Sequence, residues 1–436
     1  MAADTTGAGL DAAALRDELA RWLDRNWDPE LGLVEWRTRL ADAGWSRPAW
    51  PPGWGGRGLT AAASDLVEAE LAARDVVGVP EGVGMHLAAP TILEHGDDEV
   101  RRRFLRSTLT GELTWCQLFS EPGAGSDLAG LSTRATADGD AWIVHGQKVW
   151  TTSGAHADVG LLLARTDPDV PKHAGLTCFI LPMHQRGVEV RPLRQMNGHA
   201  SFNEVFLDDA VIPPGHLLGD VNGGWRVALT TLAYERRTAI LSRGVPSRIT
   251  ASGRAAREAI DEHDRVSEPY RWYPQRAGRV DLVIPRARVA GRPASPLLRD
   301  DVAGLLTLAR VTQLTAERAT AARALGRPPG PEGSIGKLAS SRVARAAART
   351  HTSIAGASAM LAGDDAPLEG TITEVLLSVP AISIAGGTDE IQRTIIGERV
   401  LGLPKEPDAT RTIPFRSIPV TPSPSPRTGP SAERRS

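Results

Sequence analysis

The sequence predicts a mainly α-helical protein with a β-domain at its centre, and three observations carry that prediction. Apolar residues recur at helical spacing from the N-terminal region to about Thr114, and again from Trp225 onward. Between these regions, from Leu118, the pattern changes to short alternating or continuous apolar runs separated by turn residues. The 436 residues are enough for about three domains at ~150 residues each. The expected boundaries are 1–114 for a helical domain, 115–224 for the β-domain, 225–407 for a helical bundle and 408–436 for a tail.

Leu15, Leu19, Trp22 and Leu23 line one face of a first helix, and Leu66, Ala69 and Ala73 line another. Val100–Leu105 opens a further helix after the start signal Asp97-Asp98. The stretch 45–56 is dense in Pro and Gly and reads as a loop, whose Trp45, Trp50 and Trp54 suit packing across helices. Strand candidates are Trp142–Val144, Val159–Ala164, Leu176–Leu181, Val188–Val190 and Glu204–Leu207. Beyond Gly223-Gly224, Trp225, Ala228, Leu229 and Leu232 return to helix period. Segments 250–262, 300–325, 337–361 and 388–401 continue it, which suggests a four-helix bundle. The stretch 263–296 breaks the pattern with Pro, Arg and aromatic residues and reads as an irregular insertion. The tail is rich in Pro, Ser, Thr and Arg, a composition that predicts disorder over 408–436.

Composition narrows the function. Lys+Arg 50 against Asp+Glu 52 leaves no basic excess for a nucleic acid. Cys116 and Cys178 set no disulfide framework and read as reduced thiols. Met1–Leu15 has no apolar core for a signal peptide, and no run approaches the ~18 residues of a membrane span. The expectation is a cytoplasmic enzyme without a metal site.

The chemistry concentrates in Phe119-Ser120-Glu121-Pro122-Gly123-Ala124-Gly125-Ser126-Asp127. Pro122 fixes φ, while Gly123 and Gly125 permit positive φ and close backbone approach. Such a turn presents backbone N–H groups, with Ser126 beside them, to phosphate oxygens. Downstream, the run Ala141–Val149 ends on Trp150-Thr151-Thr152-Ser153-Gly154. A flat ring and hydroxyls at a strand end supply the stacking face and polar contacts that a planar aromatic cofactor needs. Together the two stretches read as one site for a flat ring system joined to a pyrophosphate.

That pair of motifs, at that distance, resembles the acyl-CoA dehydrogenase family. Gly175–Pro182, Phe202–Asp220, Gly223–Arg237 and Ile384–Pro404 follow in family order, so the resemblance runs from roughly Leu10 to Pro407. It implies a helical N-terminal domain, a β-barrel-like middle domain and a C-terminal four-helix bundle. It also implies FAD as cofactor, an acyl-CoA substrate and an electron-transfer flavoprotein as acceptor. By match, Gln117, Leu118, Phe119 and Ser120 run along the flavin, with the Phe119 backbone and the Ser120 hydroxyl at its pyrimidine edge. Gly125 and Ser126 meet the pyrophosphate, Ser126 also lying near CoA. Trp150 packs on the isoalloxazine next to Thr151, and the Thr152 hydroxyl reaches N5. Thr388, Asp389 and Glu390 serve the FAD phosphates and adenosine at a helix N-terminus, where Thr388 is equally an N-cap.

Two departures from the family pattern shape the expected mechanism. Many members carry a catalytic Glu directly before the Gly-Thr of the last motif, where this chain has Gly386 followed by Gly387-Thr388. The backbone N–H there remains able to donate to the thioester carbonyl. The base is then expected at Glu235, in Tyr234-Glu235-Arg236-Arg237, where a branch resembling isovaleryl-CoA dehydrogenase places it. A helix Glu beside Arg is otherwise a solvated ion pair; loss of the other carboxylate favours the catalytic role. Arg236 stands equally as a substrate contact or a structural residue. The second departure is at the adenosine end. Segments 286–292 and 353–357 replace the family's Arg-x-x-Phe-Gly and Gly-rich pieces, which come from a neighbouring subunit, and match them poorly. A homo-oligomer (dimer or tetramer) or a hetero-oligomer with a related chain is expected. The competing functions are an oxidase on the same fold and a non-catalytic FAD-binding or structural subunit.

Overall fold

The computed structural model describes residues 12–241, 250–289, 295–324, 332–408 and 410–419. The N-terminal region folds as α1 (Ala12–Asn26), α2 (Leu33–Asp42), α3 (Ala61–Ala73), α4 (Ala89–His95) and α5 (Asp98–Thr110). The start signal of α5 works as an N-cap: the Asp97 carboxylate accepts from the Val100 N–H at 2.8 Å. Leu19, Leu23, Trp36, Leu40 and Val67 share one core. The tryptophan-rich loop serves packing. Trp45 is buried against Trp22, ring centroids 6.4 Å apart, and Trp50 and Trp54 pack on the neighbouring core.

The middle region is one eight-stranded sheet: β1 (Trp115–Leu118), β2 (Arg134–Asp138), β3 (Ala141–Thr152), β4 (Val159–Arg165), β5 (Leu176–Pro182), β6 (Val188–Leu193), β7 (Phe202–Ile212) and β8 (Leu217–Leu218). Its order is β6-β7-β3-β2-β4-β5-β8, with β1 added parallel to β4. The five strand candidates fall on β3 to β7. β4 is buried at every position, which is why it reads as a continuous apolar run. β1, β2 and β8 were too short or too polar to stand out.

The C-terminal region contains α6 (Gly224–Leu241), α7 (Arg254–Ser267), α8 (Tyr273–Arg276), α9 (Val283–Val289), α10 (Pro296–Ala324), α11 (Glu332–Ala355), α12 (Thr371–Ser378) and α13 (Asp389–Arg399). α6 packs on β5 and α4, whereas α10 and α13 both lie against α11. α7 joins the N-terminal core through Ala255, Ala256 and Ala259. There Glu262 forms a paired contact with the buried Arg37 at 2.5 and 2.9 Å.

Two expectations are corrected. The stretch 263–296 is not a structureless insertion. α7 runs into it, α8 and α9 lie within it, and Trp272 is fully buried; 290–294 lie outside the described residues. Nor is the whole tail disordered. Residues 410–418 dock on the β-domain, with Phe415 N–H donating to the Val170 carbonyl at 2.9 Å and Arg416 N–H to that of Pro168 at 3.1 Å. Composition missed this because one aromatic ring on a buried cation anchors the segment: Arg165 lies 3.4 Å from the Phe415 ring. Residues 420–436 lie outside the described residues. Among the described residues, no helix is long and apolar enough to cross a membrane.

Candidate active site

Glu121 and Ala124 close the turn by exchanging backbone hydrogen bonds of 3.0 and 3.1 Å. The Val149 N–H donates to the Ser120 carbonyl at 2.9 Å, so the turn is joined to β3 one residue before Trp150. Beneath it sits Lys148, fully buried, whose Nζ donates to the carbonyls of Phe119 (3.0 Å) and Leu163 (2.8 Å) and to Glu121 Oε1 (2.9 Å). The Glu121 carboxylate also accepts from the N–H groups of Ser132 (2.7 Å) and Thr133 (2.9 Å). Burial alone would raise the Glu121 carboxyl, but the Lys148 charge and these hydrogen bonds hold it down to about 2. Burial pushes the Lys148 ammonium down while Glu121 raises it. With every donor and acceptor of this pair engaged, both groups are charged. Neither residue was singled out from the sequence. The available signals were a lysine inside an otherwise strand-like run and a glutamate inside the turn.

Gly123 and Gly125 do not adopt positive φ, contrary to expectation. Their service is space: a Cβ built at either meets nothing within 4 Å, and Gly125 and Ser126 are exposed. The face of the turn is therefore open to a ligand. The β3–β7 register breaks between Lys148 and Thr151, and within that break Trp150 takes φ 64°. A bulge of this kind re-aims a side chain, and Trp150 is 56% exposed, with the Phe202 ring edge-on at 5.7 Å. Thr151 is buried and its hydroxyl has no partner among the described residues. The open turn, the presented ring and this orphan hydroxyl fit a flat ring system carrying phosphate. Leu118 and Phe119 bury their side chains in two cores, so only their main-chain atoms are available, and the Phe119 carbonyl is already held by Lys148. Gln117 is half-buried on β1.

On the helical side, the half-buried Glu235 of α6 lies within electrostatic reach of Tyr270 and Tyr273, and Tyr270 lies near the Thr152 hydroxyl. Two residues predicted to flank the reacting atoms, Thr152 and Glu235, thus both lie near one tyrosine. Burial raises the pKa of both phenols; Glu235 adds to that, while Arg276 opposes it. The Tyr270 and Tyr273 rings are 4.9 Å apart, and Arg276 lies 4.4 Å from the Tyr273 ring. Trp272 donates to Ser201 Oγ at 3.1 Å and meets Phe202 edge-on. The sequence flagged none of these three aromatic residues individually. Their signal was the aromatic density of 263–296. The side chain of Arg236 lies outside the described residues.

Gly386 and Gly387 have φ 68° and 84°, and Gln392 Nε2 donates to both carbonyls at 3.2 and 3.3 Å. Thr388 caps α13 by accepting from the Ile391 N–H. The buried Asp389 is paired with Lys337 (3.1 Å) and Arg345 (3.0 Å), so its carboxylate anchors α13 onto α11, while Glu390 is exposed and pairs with Arg393. The two poorly matching segments meet within this chain: Ala287 packs against the core that holds Ile354, and next to it Arg286 contacts His351 at 3.1 Å. Cys116 and Cys178 are fully buried, which pushes each thiol up to about 12 and leaves it inert at neutral pH.

Family models for the acyl-CoA dehydrogenase N-terminal, middle and C-terminal domains match residues 11–112, 116–210 and 283–401. The chain belongs to the acyl-CoA dehydrogenase family, a family of enzymes. The acyl-CoA dehydrogenase FadE34 of Mycobacterium tuberculosis is 38% identical over 369 residues, 85% of this chain, which spans 46% of that protein's length. The acyl-CoA dehydrogenase IpdE1 of the same organism is 34% identical over 381 residues, 85% of this chain and 88% of its own. Among solved structures, the Tcur3481-Tcur3483 steroid ACAD superposes with TM-score 0.62 at 25% identity, covering 93% of this chain and 100% of that one. The ChsE4-ChsE5 complex of M. tuberculosis gives TM-score 0.62 at 26% identity, with 92% and 100% covered.

Proposed function

We propose that this chain is an FAD-dependent acyl-CoA dehydrogenase that introduces a double bond between the α and β carbons of an acyl-CoA thioester. The observation that supports this most is the open face of the Gly123–Ser126 turn beside the exposed Trp150 ring, with Thr152 and Glu235 both near Tyr270. FAD, when bound, supplies the two-electron acceptor. The Gly123–Ser126 turn holds its phosphates, Trp150 offers a ring face, and Thr152 a hydroxyl. Glu235 removes the α proton as general base. The backbone at Gly386-Gly387 donates to the thioester oxygen and lowers the cost of the developing enolate. Asp389 supports this corner from behind through its ion pairs.

Electrons then leave to an electron-transfer flavoprotein. A second subunit is favoured by apolar side chains exposed along α10, Leu297, Leu306, Val311 and Leu314. The paired-chain titles of the two structural neighbours agree with a hetero-oligomer. The test is anaerobic titration of the FAD-saturated protein with a panel of thioesters, straight-chain and steroid-CoA. Bleaching of the flavin without oxygen uptake is expected. A yellow protein that no thioester bleaches, alone or with a related subunit, overturns the reading.

A further inference from the structure

Residues 410–418 close over the loop Thr166–Gly175, and that loop is tied to both halves of the site. On the β-domain side, Lys172 Nζ contacts Asp127 of the turn at 2.9 Å. Toward α6, Thr166 donates to Asn222 Oδ1 at 2.6 Å, and the His173 ring sits edge-on to Trp225, centroids 4.8 Å apart. Trp225 lies in the first turn of α6, the helix that carries Glu235.

At the entry to the loop, the buried Arg165 donates to the carbonyls of Ala129 (2.6 Å), Leu131 (3.1 and 3.2 Å) and Lys172 (3.1 Å). Ala129 and Leu131 follow directly on the phosphate turn. One guanidinium thus gathers the exit of the turn and the loop that contacts Asp127. Its planar face is covered by the Phe415 ring at 3.4 Å. Phe415 is held there by its own N–H, by that of Arg416, by the Pro171–Pro414 bridge and by the Arg416–Asp169 ion pair. Burial pulls the Arg165 pKa down to about 10 against the opposing charges of Glu121, Asp127 and Asp167.

We propose that Phe415 is a positioning residue for the phosphate turn, acting through Arg165. The physical reason is competition with water. A guanidinium buried under an aromatic face keeps its N–H groups on protein carbonyls; with that face uncovered, water reaches it and the carbonyls of Ala129 and Leu131 lose their fixed donor. The exit of the turn then loosens, and the N–H groups of Gly125–Asp127 are no longer fixed.

The consequence for FAD rests on the function proposed above; the consequence for the turn does not. The test uses the full chain with Phe415→Ala and Phe415→Tyr, the latter keeping the ring. Hydrogen exchange is followed in the FAD-free proteins, and FAD affinity well below the melting temperature. For Phe415→Ala, exchange across 123–131 is expected to accelerate, and FAD binding to weaken, each on the order of tenfold, with Tyr restoring both. Phe415→Leu keeps apolar volume without a π face and gives the same readout if the Ala variant does not fold. Turn exchange at the wild-type rate while 410–418 exchanges freely overturns the proposal and leaves the segment a mere tie. Because exchange is read without FAD, a wild-type chain that binds no FAD removes the cofactor reading while the exchange result still decides the role of Phe415.

Discussion

The two sides of the site are held by different means. On the β-domain side, Glu121, Lys148 and Arg165 place buried charges on backbone carbonyls and N–H groups, and each polar contact is short and satisfied. On the helical side, Glu235 of α6 lies within electrostatic reach of the half-buried Tyr270 and Tyr273, which with Arg276 come from the 263–296 stretch. The first arrangement fixes a shape before any ligand arrives. The second carries the residues proposed above for the chemistry. Glu235, Tyr270 and Tyr273 all fall between the family-model matches to 116–210 and 283–401.

The contrast can be tested from both ends. The largest effect is expected from Glu235→Gln, which keeps shape and removes the base. FAD content should survive, while flavin reduction in anaerobic stopped flow falls by ~10²–10⁴; an unchanged rate would place Glu235 outside the chemistry. Next comes Lys148→Met, which leaves the Glu121 carboxylate buried without its partner. A loss of about 3–5 kcal/mol in denaturant unfolding is expected, with the double variant Glu121→Gln/Lys148→Met recovering part of it. The same pair sets an acid limit. The folded pKa of Glu121 is depressed from its ordinary 4.5 to about 2, so its contribution is full above 4.5 and is lost as pH falls toward 2. Unfolding measured between those values should lose this dependence in Glu121→Gln.

Gly125→Val sharpens the claim that the turn is prebuilt. Its Cβ meets nothing within 4 Å, so melting should barely move, while FAD binding weakens by more than about tenfold. Equal FAD occupancy in that variant would remove the phosphate assignment. The smallest effect is expected from Tyr270→Phe, which removes one polar hydroxyl from beside Thr152, about 1 kcal/mol. Flavin reduction should slow about fivefold at unchanged FAD affinity; a change in affinity alone would make Tyr270 part of the seat instead.

Much of the seat could be read along the chain, because its parts are close in sequence and their residue types are restrictive. A Pro-Gly-x-Gly-Ser turn and a Trp at a strand end each imply a geometry by themselves. Of the two properties the sequence offered for Gly123 and Gly125, positive φ is not used, while the space for close approach is present above both. Gly386 shows the opposite case. It sits at φ 68°, where a residue with a Cβ costs roughly 1–2 kcal/mol, so the missing carboxylate at this position and the local backbone go together.

By itself the sequence determined the order of helical and β regions, and it marked the turn, the strand-end ring and the carboxylate proposed for the site, since periodicity and turn chemistry are local properties. Only the tertiary structure decided that Lys148 is the buried support of the turn, that Asp389 is held by Lys337 and Arg345, that Tyr270 lies near both Thr152 and Glu235, and that Phe415 leaves the tail to cover Arg165. Each of these depends on which distant groups share a low-dielectric interior. Burial decides whether a charge is solvated or must find a partner, and burial is set by packing across the whole chain.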